Sequence, residues 1–261
     1  MLLREEHDGV VAIGQPAHAW VSGQLARAWG NERFGEVAPW EEVCLGAEQH
    51  DLGMTGWELE PTLKPATGLP HSFIEMPLEA HLRVWSAAPG RMLRQSRYAA
   101  LLVSMHGAAL YGLRDLDAMP PADAQAVRDY LAAQRTFQGE LLTGMRQDPE
   151  TAAWAEPELV HRNQRLVWTW DFLSLALCLN WWPCPVKEAP TAEAKVDLEL
   201  RPAESDGGRL TLDPWPFARE FVELRCEGRR LTERFDDEAA MRTALAGAPW
   251  VTLRFELIAP G

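Results

Sequence analysis

The sequence predicts a mainly α fold carrying a small antiparallel α+β appendage at its C-terminal end. Three observations carry that expectation. Apolar residues recur at helical spacing through most of the first 190 residues. Composition then shifts, at the linker-like KEAPTAEAK. Beyond it apolar and polar residues alternate, the period of half-buried strands. The 261 residues therefore divide into a helical domain, 1–190, and a β-rich unit, 191–261, with chain enough for a sizeable core.

The first helix is expected over QPAHAWVSGQLARAWG. His18, Val21, Leu25, Ala28 and Trp29 share one face, and Gly30 is the stop. A second is expected over APWEEVCLGAEQHDLGM. Pro39 suits a first helical position, and Glu41 and Glu42 suit the positive end of the helix dipole. Val43, Ala47 and His50 form its apolar side. LGMTGWELEPTLKPATGLPHSF is rich in Gly and Pro and longer than a typical connection, which marks a functional loop or lid. PLEAHLRVWSAA and RYAALLVSMHGAALYGL read as further helices. A polar region, 114–158, separates them from a Trp-rich helix holding Asp171.

In the appendage, Val196, Leu198 and Leu200 alternate in KVDLEL, Leu210 and Leu212 in RLTL, and Val251, Leu253, Phe255 and Leu257 in WVTLRFEL. Turn signals stand at ESDGG (204–208) and at EG (227–228). One helix interrupts, DDEAAMRTALAGA, with Asp236 or Asp237 as its N-cap. This unit contains no His.

The formal charge of −13 argues against nucleic-acid polymers, which need a basic footprint. MLLREEHDG has no apolar leader region, and Cys44, Cys178, Cys184 and Cys226 form no C-x-x-C pair. A cytoplasmic protein with reduced thiols is the expectation. Residues 166–186 form an apolar run long enough to span a bilayer. Asp171, Asn180 and two prolines near its end favour a buried core helix over a membrane span. Elbow motifs for nucleophilic serine and Gly-rich phosphate loops are absent from the sequence. The basic residues Arg91, Arg94 and Arg97 read as a solvated face rather than a phosphate site.

Asp171 is the most informative residue. Its neighbours on the helix are nearly all apolar, and a buried carboxylate is costly unless paired, hydrogen-bonded or bound to a metal. His18, His50 and His106 each fall on the apolar side of an expected helix. Singly, each would read as a satisfied core histidine. Together with Asp51 and Asp171 they offer the imidazole and carboxylate ligands of a transition-metal site, drawn from separate helices. His71 lies in the Gly-Pro loop and His81 beside Leu78 and Trp85; both are lesser candidates. Trp57 and Glu58 are placed to line a pocket. His7 and His161 have polar surroundings.

The order His18, then His50-Asp51, then a distant Asp171 resembles the H…HD…D signature of the HD-domain metal-dependent phosphohydrolases. H-D-L-G is similar to their H-D-h-G variant. QPAHAWVSGQLARAWG, HDLGMTGWE, GLPHSF and SMHGAAL together resemble an uncharacterised bacterial family of unknown function related to that superfamily. The resemblance implies an HD-like helical domain in which His18, His50, Asp51 and Asp171 bind a divalent ion: Mn, Fe, Zn, Co or Mg, one or two per chain. His106, and less surely His81 or His71, would hold the second. Met54 stands where several HD enzymes have Lys.

The leading functional expectation is a hydrolase of a small phosphate ester or nucleotide, with Asp51 and His106 at the chemistry. Two alternatives stand beside it: a di-iron oxygenase of HD type, and a non-catalytic regulatory module that binds metal or ligand. The oligomeric state is not legible.

Overall fold

A computed structural model describes residues 1–203 and 208–260. The turn expected at ESDGG therefore falls largely on 204–207, outside the described residues. Eight α-helices and nine strands occur among the described residues. The strands β1 (Leu2–Glu6) and β2 (Gly9–Ile13) open the chain as a hairpin. The helices α1 (Gln15–Ala28), α2 (Trp40–Glu48), the single turn α3 (Thr55–Glu58), α4 (Leu78–Met92), α5 (Arg97–Gly112), α6 (Pro121–Arg146) and α7 (Pro157–Leu179) follow. A two-stranded hairpin, β3 (Leu63–Lys64) and β4 (Leu69–Pro70), lies in the long loop before α4. The rest is β5 (Cys184–Pro190), β6 (Lys195–Pro202), β7 (Leu210–Asp213), β8 (Phe221–Leu231), α8 (Glu238–Gly247) and β9 (Trp250–Ile258).

The mainly α expectation with a small appendage is corrected by the sheet. The chain is about 51% helical and 22% strand, and seven strands form one curled mixed sheet. Their order is β1-β2-β8-β9-β7-β6-β5, antiparallel except where β7 runs parallel to β9. Three of the seven, β1, β2 and β5, come from the first 190 residues. The physical reason is a shared core. Leu25, Val43, Leu101 and Trp170 of the helices pack in one buried cluster with Leu198, Leu212, Leu224 and Phe255 of the sheet. β8 and β9 alternate buried and exposed residues, whereas β2 and β7 are buried at successive positions.

Several local readings change for related reasons. The linker-like KEAPTAEAK is the end of β5, a tight connection and the start of β6, which pair with each other. EG at 227–228 is not a turn but lies inside β8, where Gly228 faces Val11 of β2. The polar 114–158 region contains the 26-residue α6, which buries only a narrow strip including Ala124, Val127 and Tyr130. The second helix stops at Glu48, so His50 and Asp51 sit on the turn beyond it. The expected alternation in β9 is observed, with Leu253, Phe255 and Leu257 buried. Asp237, of the two candidates, caps α8: its carboxylate accepts from the Ala240 N–H at 2.7 Å. The apolar run 166–186 divides between α7 and β5. Among the described residues no helix is long and apolar enough to cross a membrane.

Candidate metal centre

Four packed helices, α1, α2, α5 and α7, bring the predicted residues together beneath the sheet. His18 projects from α1, His106 from α5 and Asp171 from α7. His50-Asp51 comes from the turn after α2. That turn lies hard against α4: a Cβ on Gly53 would sit 2.5 Å from the Val84 carbonyl oxygen. The Gly of H-D-L-G is therefore a packing requirement that holds His50-Asp51 in place. Gly107 does the same beside His106, since a Cβ there would meet Trp85 and the Tyr130 hydroxyl at 2.6 Å.

All five side chains are buried: His50 is 0% exposed, His18 1% and Asp171 9%. His18 Nε2 faces Asp51 Oδ2 at 2.7 Å, and His50 Nε2 lies 3.2 Å from Asp171 Oδ1 and 3.7 Å from Asp51 Oδ2. His106 Nε2 is 3.7 Å from Asp171 Oδ2. The rings of His18 and His50 have centroids 5.1 Å apart, and those of His50 and His106 4.7 Å.

The hydrogen bonds around the rings assign their tautomers. His50 Nδ1 lies 2.8 Å from the Ala47 carbonyl, which can only accept, so Nδ1 carries the proton. In the neutral ring Nε2 then turns a lone pair towards the two carboxylates, and it has no hydrogen-bond partner among the described residues. The Ser174 hydroxyl donates to the Asp171 carbonyl at 2.7 Å, so its oxygen accepts from His18 Nδ1 at 2.8 Å. His18 Nε2 in the neutral ring is again a lone pair, 2.7 Å from a carboxylate oxygen. Two acceptors at that distance need a proton or a cation between them.

Electrostatics state the same demand. Burial opposes charge on His50, but Asp51 and Asp171 more than offset it and push its pKa up to about 9. Burial also opposes charge on both carboxyls. His50, ahead of the other two histidines, holds Asp171 well below the usual carboxylate range, and His50 and His18 lower Asp51. His106 is different: burial, then the His50 charge, lowers its pKa to about 4, so it is neutral at pH 7. Two groups of ligand atoms, His18/His50/Asp51 and His50/His106/Asp171, each gather within 4.8 Å and could hold a metal ion. His18 and His50, each with its far N–H fixed, and the carboxylates beside them are the donor set such ions take.

The centre lies at the floor of a cleft of about 240 Å³. His81 lines the same cleft, but both its ring nitrogens are engaged. Nε2 accepts from Trp85 Nε1–H at 3.0 Å, and Nδ1 is bonded to the Tyr111 hydroxyl. His71 does not reach the cleft; its Nδ1 bonds to Thr62 Oγ1 at 3.0 Å beside β4. Trp57 and Glu58 do not line it either. Glu58 instead accepts from the Gln15 backbone N–H at 2.9 Å and caps α1. His7 and His161 are exposed, and Arg97 pairs with Asp148 at 2.6 Å.

Sequence reasoning missed Gln15, Ser174 and Arg114. Gln15 and Ser174 sit three residues from His18 and Asp171, one helical turn away on the same faces, so spacing could have found them. Arg114 follows the end of α5 and gave no such signal.

The model of a family described as "Protein of unknown function (DUF3891)" matches residues 1–233, and the chain belongs to that family. No curated protein and no solved structure matches it.

Proposed function

We propose that this chain is a metal-dependent hydrolase of HD type that acts on a small phosphate ester. One observation carries the reading. The buried His50 Nε2 has no hydrogen-bond partner among the described residues, faces a space shared with two carboxylates and two further histidines, and offers a lone pair there once a cation replaces its proton. The H…HD…D order adds to this, since the residues it would assign to an ion are the ones that converge.

His18, His50, Asp51 and Asp171 would hold a divalent ion, which would supply Lewis-acid chemistry when bound. The chain's own residues do the rest. Ala47 and Ser174 fix the tautomers of His50 and His18 and so aim their lone pairs inward. Asp51 and Asp171 supply the negative charge that attracts a cation. Asp51, which also lines the cleft, would orient the attacking group, and His106, neutral at pH 7, would be available to accept a proton there. The burial of all five side chains strengthens each of these interactions.

The second ligand group brings in His106 but shares His50 with the first, so a second ion would have to be held by His106 and Asp171 without it. That group is the observation on which a di-iron oxygenase reading would rest. Two irons per chain with dioxygen uptake would replace the hydrolase reading.

The test is hydrolysis of a panel of phosphomonoesters by the Mn-loaded protein. Asp51→Ala and Asp171→Ala are each expected to lose at least about 100-fold in kcat/KM, in the range seen when a catalytic acid–base group is removed. Undiminished hydrolysis in either variant contradicts the proposal.

A further inference from the structure

The cleft above the centre has a chemical character of its own. At about 240 Å³ it is smaller than the roughly 300–1,000 Å³ of sites that take drug-sized ligands. It excludes polymers and dinucleotides and fits a head group with a body about the size of one ring.

Its polar groups are few. Arg114 is the one Lys or Arg among the described residues that line it. It is exposed, lies over the Tyr111 ring at 4.9 Å, and makes no ion pair among the described residues. A guanidinium held on an aromatic face and left without a carboxylate is set to receive an anion from solvent. On the floor, Gln15 is 3% exposed, and its Oε1 has no hydrogen-bond partner among the described residues. An amide oxygen can only accept, so it suits a hydrogen-bond donor at the cleft floor and leaves the anionic head to Arg114.

The remaining wall is apolar. Phe73, Ile74 and Met76 come from the turn before α4, Leu110 from α5 and Leu175 from α7. Ile74 is 77% exposed. An aliphatic side chain left in water at the rim of a cleft gains by covering an apolar ligand.

We propose that the cleft selects small phosphate esters whose organic group is apolar or aromatic, with Arg114 binding the anionic head and the Phe73–Met76 turn covering the organic group. The proposal rests on the metal-site reading and adds the substrate class to it. Arg114 is a binding residue that touches the head group. Ile74 acts on selectivity between organic groups and leaves head-group binding alone.

The test is calorimetric titration of the Mn-loaded protein with two non-hydrolysable probes, phenylphosphonate and 2-hydroxyethylphosphonate. Metal content is measured on the same samples. The wild-type chain is expected to bind phenylphosphonate at least about tenfold more tightly than the hydroxyethyl compound, the scale of one buried apolar group. Arg114→Gln is expected to lose about tenfold for both probes with metal content unchanged, the scale of one charge-assisted hydrogen bond. Ile74→Asn, which removes the apolar cover without adding charge, is expected to weaken phenylphosphonate alone. Both altered positions are exposed, so the variants fold. Equal affinity for the two probes, or wild-type affinity in metal-loaded Arg114→Gln, overturns this inference and leaves the metal site standing. A wild-type chain that takes up no Mn overturns both.

Discussion

The outer face of the sheet and the cleft under the helices share one apolar core, yet they treat charge in opposite ways. On the sheet, Arg254 meets Glu223 at 2.8 Å and Lys187 meets Asp197 at 2.7 Å, each pair half-open to solvent and satisfied across neighbouring strands. In the cleft, Asp51 and Asp171 are buried among three histidines, and His50 Nε2 and His106 Nδ1 have no hydrogen-bond partner among the described residues. The sheet's charges solve a solubility problem and are complete as they stand. The cleft's charges are costly to bury, and their groups could hold a metal ion.

That contrast breaks most sharply at Asp171. Asp171→Ala is expected to abolish metal uptake and to lower hydrolysis at least about 100-fold. Metal retained in that variant would place the ion elsewhere.

The shared core gives the next largest effect. Trp170 is fully buried, one residue before Asp171, in the cluster that joins helices to sheet. Trp170→Ala is expected to cost about 3–5 kcal/mol in chemical denaturation, with a single transition seen by helix and strand probes alike. Two separate transitions would show that sheet and helices fold independently.

The pH dependence of the metal-free protein sharpens the comparison further. Burial, then Arg114, lowers His81 to about 4, and burial, then the His50 charge, lowers His106 to about 4. The unfolded chain takes up these protons first, so stability falls as pH drops from about 6.5 towards 4. His50 runs the other way. Raised to about 9, it contributes stability that is full below about pH 6.5 and lost as pH rises through 9. The melting temperature is expected to peak near neutral pH, and His50→Gln is expected to flatten the alkaline limb. An unchanged alkaline limb in His50→Gln would mean that His50 is not the group titrating there.

The smallest effect belongs to the sheet. Glu223→Gln, which breaks an exposed pair with Arg254, is expected to change stability by about 0.5 kcal/mol or less and to leave metal content unchanged.

The site was more legible in the sequence than the fold. His18, His106 and Asp171 stand at helical spacing from Val21, Val103 and Leu175 or their neighbours, so a local period was enough to turn them inward. Three inward histidines and a carboxylate cannot each be satisfied by apolar walls, and so chemistry could be read from composition and phase. The sheet could not be read that way. β2 pairs with β8 through Val10 and Leu231, more than 200 residues apart, and no local pattern announces that partner. α6 was hidden for another reason: it packs along a narrow strip and keeps most of its surface polar, so its hydrophobic signal is weak. Glu58 shows the limit of proximity in sequence. It lies seven residues from Asp51, yet it caps α1 by accepting from Gln15 and stays out of the cleft.

The central claim is that His50 Nε2 is a metal ligand. Elemental analysis tests it most directly, on the chain purified without chelator and on His50→Gln, each also reloaded with Mn, Fe, Zn and Mg. The account predicts one or two transition-metal ions per wild-type chain and their loss in the variant. A wild-type chain that holds no ion after every reloading, or a variant that holds as much as the wild type, would contradict it.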